Sequence, residues 1–250
     1  MGPTFEKVPE LYGTFHIISL IISFIVCILA FIFAKKRSDK KDAIVVFVVS
    51  LFLCSTEVWK QVTRIVANNG KYPFSIFPFQ LCSIPMFLGL IPIFLKEGKV
   101  KDTIYKYITL TGILGGVTML LVPMVIFTSY IYFTIHSIVW HLALTSQGIY
   151  LARSRKYGVN IAEDVVPTIP ILAIVITIAV ILNATPYGFN LISLSTRFVN
   201  EPAILDAIYQ RVSYPIYVAI VFLGLTAGFF VLDFIFYLFR KLRGVKKHGN

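Results

Sequence analysis

Residues 11–42 read LYGTFHIISLIISFIVCILAFIFAKKRSDKKD, and this stretch decides the fold. From Leu11 to Ala34 there is no Asp, Glu, Lys or Arg, whereas Lys35 to Asp42 is charged at every position but Ser38. A hydrocarbon core about 30 Å thick needs about 20 helical residues, because lipid offers no partner to an unpaired backbone N–H or C=O. The apolar run reaches that length. It is too long for the core of a signal peptide, and its cationic cluster follows it instead of preceding it, so no cleavable leader is expected.

Outward from this stretch the pattern recurs. The 250 residues are 57% hydrophobic and only 14% charged, with a mean hydropathy of +0.82; a soluble domain carries about a quarter charged residues. Further apolar runs at 43–66, 73–95, 104–126, 129–152, 165–183 and 214–239 predict an all-α fold, a bundle of seven transmembrane helices. Charge supplies the topology. One set of alternate loops holds only Lys7, Lys71, Arg197 and Arg211; Lys60 and Arg64 fall inside the second span, and every other Lys and Arg falls in the remaining loops and the tail. Cationic loops stay in the cytoplasm. The expected molecule is therefore a multi-pass protein of the cell membrane, N-terminus outside and C-terminus cytoplasmic; six or eight crossings would mix the two sets.

The net charge of +11 thus belongs to short loops and not to a soluble face, which excludes nucleic acid as a partner. Tail residues Lys241, Arg243, Lys246 and Lys247 are placed to bind anionic lipid at the inner surface. Cys27, Cys54 and Cys82 all lie within spans, which points to packing or chemistry and not to disulfides. With no internal repeat and no soluble insert, residues 1–250 form a single domain. The outer stretch 184–213, with Asn190, Arg197, Glu201, Pro202 and Asp206, reads as a short interfacial helix, a lid or a plain connector. The last span has no Lys to carry a Schiff base, which excludes a retinal protein.

Prolines interrupt two spans: Pro78, Pro85 and Pro92 in the third, Pro167 and Pro170 in the sixth. Each removes a donor and frees a carbonyl, so the third helix is expected to be kinked and buried among its neighbours. Pro78, Cys82, Pro85 and Gly89 share a compact face suited to close packing.

Ionisable groups inside a membrane cost about 2.5–3.5 kcal/mol each, so each needs a reason. Glu57, Lys60 and Arg64 share one face of the second span, flanked by Cys54 and Gln61. Glu57 and Lys60 are spaced to neutralise each other, and Arg64 to snorkel outward. The third span carries Gln80, Cys82 and Ser83; the fifth carries His136 in a stripe with Ser129, Tyr132, Trp140, Ala143 and Gln147. His141 lies about 140° around the helix from His136, so the pair is badly placed to chelate, and neither a metal nor another cofactor is expected. Asp233 stands apart near the inner end of the last span, within reach of tail cations. Cys82 lies about nine residues and His136 about seven residues below the outer ends of their spans, or ~10–14 Å deep. Glu57 has a similar depth, and His16 and Asn183 also fall in the outer half. At one depth, an imidazole can take a thiol proton and the thiolate can attack an acyl ester, with Glu57 and Lys60 orienting the His or stabilising the oxyanion.

These residues resemble a family of bacterial integral membrane proteins of the YwaF type. The resemblance is carried by Glu57-Val58-Trp59-Lys60, Phe77-Pro78-Phe79-Gln80-Leu81-Cys82, Phe133-Thr134-Ile135-His136, Asn183 with its following polar turn, and Tyr214-Pro215-Ile216-Tyr217. That family looks similar to an animal transmembrane acyltransferase that makes polyunsaturated ether phospholipids, and more distantly to androgen-induced membrane hydrolases that cleave branched fatty-acid esters. The resemblance implies Cys82 as nucleophile and His136 as base, acting on phospholipid or fatty-acyl esters. Glu57, Lys60, Gln80 and Asn183 make up the supporting polar network. The chain departs from the family pattern at Gln80, where a His is expected, and at Leu191, where a Tyr follows the Asn. Two other readings suit the same polar layer: a transporter or membrane substrate-binding subunit with a polar cavity and no catalysis, and polar residues that serve only as interhelical glue.

Overall fold

The computed structural model describes residues 4–34, 38–123, 126–196 and 203–242. Lys35, Lys36, Arg37, Arg197, Glu201, Pro202, Arg243, Lys246 and Lys247, and with them most of the tail's expected lipid contacts, lie outside the described residues.

Among the described residues every named element is helical: α1 (Thr14–Phe33), α2 (Asp39–Ala67), α3 (Ile84–Leu88), α4 (Lys99–Leu121), α5 (Ile131–Ser154), α6 (Ile161–Val165), α7 (Ile169–Ala184), α8 (Ala203–Tyr209) and α9 (Tyr214–Leu242). A 3₁₀ turn, Val166–Thr168, joins α6 to α7 into one rod. Pro167 and Pro170 sit in the first positions of that turn and of α7, where a missing N–H costs little. Five helices are long and apolar enough to cross a membrane: α1, α2, α4, the α6–α7 rod and α9. With 24 residues, α5 matches them in length. It is more polar because it is central: it packs on α4, α1 and α2 and buries Thr134, His141, Thr145, Gln147 and Ser154.

The third apolar run departs from expectation. Residues 73–95 form no kinked helix but a broken path: a 3₁₀ turn at Phe74–Ile76, a turn through 80–83, the five-residue α3 and a second 3₁₀ turn at Pro92–Phe94. Pro85 and Pro92 each sit in the first turn of one short piece, and Pro92 keeps the first piece from extending. Such backbone survives at membrane depth only where protein satisfies it. Gln61 Nε2 donates to Ile76 O at 2.8 Å, and Cys54 Sγ lies 3.6 Å from Met86 O. Gly89 is buried against α2 so closely that a Cβ would stand 1.9 Å from Ser50 Oγ.

Close approach also fixes α4 on α5. A Cβ at Gly112 would lie 2.9 Å from the Leu144 carbonyl oxygen, and one at Gly116 would lie 2.1 Å from Thr145 Oγ1. Small residues four apart allow this contact, and the Gly112/Gly116 pair is visible in the sequence.

Two polar ends enclose the apolar core. At one end the start of α1 meets the α4–α5 connection: His16 Nε2 donates to Leu120 O at 2.8 Å, and Phe5 N–H to Ser129 O. At the other, Ala34, Val46, Tyr105, Tyr150 and Tyr157 cluster, and Leu88 and Leu95 pack on them. The described part of the 184–213 stretch packs into the core. Phe189, Leu191 and Leu194 are buried in the main core with Tyr217 and Phe229, and α8 lays Leu205 and Ile208 against it.

Candidate functional site

α2 and α5 build the site by pairing side chains with backbone. His136 Nε2 lies 3.1 Å from Thr56 O, Trp140 Nε1 donates to Leu53 O at 3.4 Å, and Gln147 Nε2 donates to Val46 O at 3.1 Å. The stripe expected on α5 therefore faces α2, except that Tyr132 is 50% exposed. On α2, Lys60 Nζ pairs with Glu57 Oε2 at 2.7 Å, and Gln61 Nε2 donates to Glu57 Oε1 at 2.6 Å. The expected Glu57–Lys60 pair is present, its carboxylate almost wholly buried.

A carbonyl can only accept, so each histidine's tautomer follows from its partner. His16 donates through Nε2 and accepts the Tyr12 N–H at Nδ1 (3.0 Å), leaving no ring nitrogen for chemistry. His141 donates through Nδ1 to Ser137 O at 2.7 Å. His136 donates through Nε2 to Thr56 O, and its buried Nδ1 has no hydrogen-bond partner among the described residues. An imidazole held by one nitrogen, its other lone pair free in a dry setting, is a base waiting for a proton donor.

Cys82 lies in the turn before α3 and packs with Cys54 against the cluster of Leu53, Met86, Trp140 and Leu144. The cluster that Cys82 packs against includes Trp140, which lies one turn along α5 from His136. Among the described residues no hydrogen bond joins the Cys82 thiol to His136. The remaining two site residues stand in a second cluster. Gln80 Nε2 donates to Asn190 O (3.0 Å) and its Oε1 accepts the Ile192 N–H (2.7 Å). Asn183 clasps Leu191 through both its amide atoms, at 3.0 and 2.8 Å. Tyr217 and Tyr214 hydroxyls hold Ser193 O and Leu194 O. These side chains pin a turn in which Ile192 and Ser193 take φ of 56° and 53°, left-handed values costly for non-glycine residues. Gln80 and Asn183 are thus anchors of the 189–195 plug.

At the opposite end lies a network that the sequence reading spread over loops. Asp42 is fully buried, accepting from Tyr150 Oη (3.0 Å) and Ser154 Oγ (2.6 Å) and ion-paired with Arg155 at 2.8 Å. Asp39 holds both Arg155 and Lys101 at 2.6 Å. Counted as solvated loop charges, Lys101 and Arg155 are instead buried ion-pair partners; the signal was the acids at 39 and 42 in the same cationic loop. A cavity of about 250 Å³ opens here, lined by Asp39, Glu97, Lys101 and Arg155. Nearby, Asp233 is fully buried and both its oxygens lack a hydrogen-bond partner among the described residues. It lines a cleft with Lys106, Tyr157 and Asp164, and the tail cation Arg240 bonds Lys156 O and Tyr157 O instead of pairing with it. Burial and the Asp102 carboxylate hold the Tyr157 phenol well above its ordinary range, so it stays a neutral donor. Neither opening is lined by Cys82 or His136. His136 instead lies beside Trp59, at 5.8 Å between ring centroids, and Trp59 is 44% exposed. Among the described residues no group of three or more His, Cys, Asp or Glu is placed to hold a metal.

An all-helical chain with five membrane-length apolar helices around a buried polar layer is a polytopic membrane protein. The pattern of the TMEM164 family matches residues 11–233, and the chain belongs to that family of membrane proteins. No curated protein and no solved structure matches it significantly.

Proposed function

We propose that this protein is a membrane-embedded acyltransferase or acyl hydrolase acting on phospholipid or fatty-acyl esters, with Cys82 as nucleophile and His136 as base. The observation that carries the reading is His136: the Thr56 carbonyl fixes its tautomer and leaves Nδ1 buried and without a partner among the described residues, one helical turn from Trp140, whose cluster Cys82 packs against. Nδ1 takes the thiol proton, the thiolate adds to the ester carbonyl, and the C–O bond breaks as the imidazolium returns the proton to the departing alcohol. A second alcohol, or water, then attacks the thioester, loses its proton to Nδ1 and restores the thiol. The Lys60 ammonium offers charge to the tetrahedral oxyanion, and Glu57 holds it in place. The family resemblance in the quoted motifs supports the same assignment.

The topology proposed with it has seven crossings, the broken 73–95 path being the third, with α1 starting outside and α9 ending in the cytoplasm of a cell. Phe74 packs by Tyr187 at one end and Leu95 by the tyrosine cluster at the other, as a crossing requires. The broken path also favours a second reading, a transporter or binding subunit, since discontinuous spans line substrate sites in transporters.

Intact-mass measurement after incubation with a defined phospholipid separates the two readings. A hydroxylamine-labile acyl adduct on the wild type, absent from Cys82→Ser and slowed about 100-fold or more in His136→Ala, is the expected result. Full lipid-remodelling activity in both variants would sink the assignment.

A further inference from the structure

Lys60 and Arg64 share a face of α2, and among the described residues Arg64 lacks a carboxylate partner. Lys60 is neutralised by Glu57 at 2.7 Å, while Arg64 pairs with no carboxylate among the described residues and its buried Nε meets no acceptor. Its guanidinium lies 3.9 Å from the Phe133 ring centroid. A guanidinium held over a ring face still has N–H donors to offer an oxyanion. Trp59 joins this group, with its ring centroid 6.3 Å from Phe133, 6.4 Å from Tyr132 and 5.8 Å from His136. Val62 and Val66 beside it are 54% and 72% exposed, so the surroundings are lipid-facing and aromatic, as at a membrane interface.

Depth links this group to the chemistry. Phe133 precedes His136 by three residues, or about 4.5 Å along the helix. The glycerol backbone of a phospholipid separates its phosphate from its ester carbonyl by a comparable few ångströms. The geometry points to Arg64 as the seat for the phosphodiester of the acyl donor, holding the headgroup at the rim while the ester carbonyl reaches Cys82 and His136. This rests on the acyl-transfer reading and adds to it the residue that selects phosphate-bearing lipids over neutral glycerides. Arg64 is a positioning residue. Its surroundings favour a lipid phosphate over the free anion, because apolar side chains exposed to the bilayer surround it.

Two measurements on the full chain in detergent test the proposal, with thermal unfolding of each variant as the control for folding. In the first, thioester formation is followed with a phosphatidylcholine donor and with the matching triacylglycerol. Arg64→Gln should raise KM for the phospholipid about tenfold with kcat little changed and the neutral donor unaffected, and Arg64→Lys should recover part of the loss. In the second, native mass spectrometry reads retention of a non-cleavable diether phosphatidylcholine, with and without millimolar inorganic phosphate. Arg64→Gln should lower retention about tenfold, and added phosphate should not displace the lipid from wild type. Equal retention by wild type and Arg64→Gln overturns the proposal even if the thioester forms. Displacement by inorganic phosphate assigns the seat to the free anion and overturns the lipid assignment. An Arg64-dependent retention with no thioester in any variant upholds the phosphate seat and fails only the acyl-transfer reading.

Discussion

At the residue scale, partners decide what a polar side chain in a membrane is for. His16 and His136 are both buried or half-buried, yet His16 has both ring nitrogens engaged and His136 only one. That difference makes one histidine structural and the other available for proton transfer. Asp42 is the opposite extreme, a fully buried carboxylate committed to Tyr150, Ser154 and Arg155. Removing one member of a buried ion pair leaves the other charge stranded in low dielectric. Asp42→Ala should therefore lower stability by about 3–5 kcal/mol, read as a lower melting temperature in detergent, and Asp42→Asn by less because it keeps acceptor capacity. An unchanged melting temperature for Asp42→Ala would mean that the network is solvated and not structural.

At the element scale, the helices were legible and the third run was not. The runs at 11–34 and 214–239 correspond to α1 and α9 within a few residues, because composition and length suffice to call a helix in lipid. Three prolines seven apart in residues 73–95 pointed to a kink, but how far the chain unwinds depends on whether neighbours take up the freed backbone groups, here Gln61 and Cys54 of α2. Helix contact is equally specific. Gly112 faces backbone that cannot move aside, whereas Gly224 has nothing within 4 Å of its Cβ position. Gly112→Ala should cost about 1–3 kcal/mol by forcing α4 from α5, and Gly224→Ala should be close to neutral in the same unfolding assay. Equal effects of the two would show that the α4–α5 contact is looser than described.

At the scale of the whole molecule, alternation of the two ends gives a test of topology. With Cys27, Cys54 and Cys82 replaced by Ala, single cysteines at Lys71 and Tyr187 should react with a membrane-impermeant maleimide in intact cells. A cysteine at Lys99 should react only after permeabilisation. Labelling of all three from outside would refute the seven-crossing arrangement. By itself the sequence determined that the chain is helical and membrane-embedded, and where most of its long helices lie. Periodicity, length and charge are local properties, and a bilayer imposes them on each segment independently. Only the tertiary structure decided that Gln80 and Asn183 belong to a separate clamp, that Lys101 and Arg155 are buried partners of Asp39 and Asp42, and that Arg64 lies over Phe133. Which helix faces which is set by packing between segments distant in sequence, and no single segment encodes it.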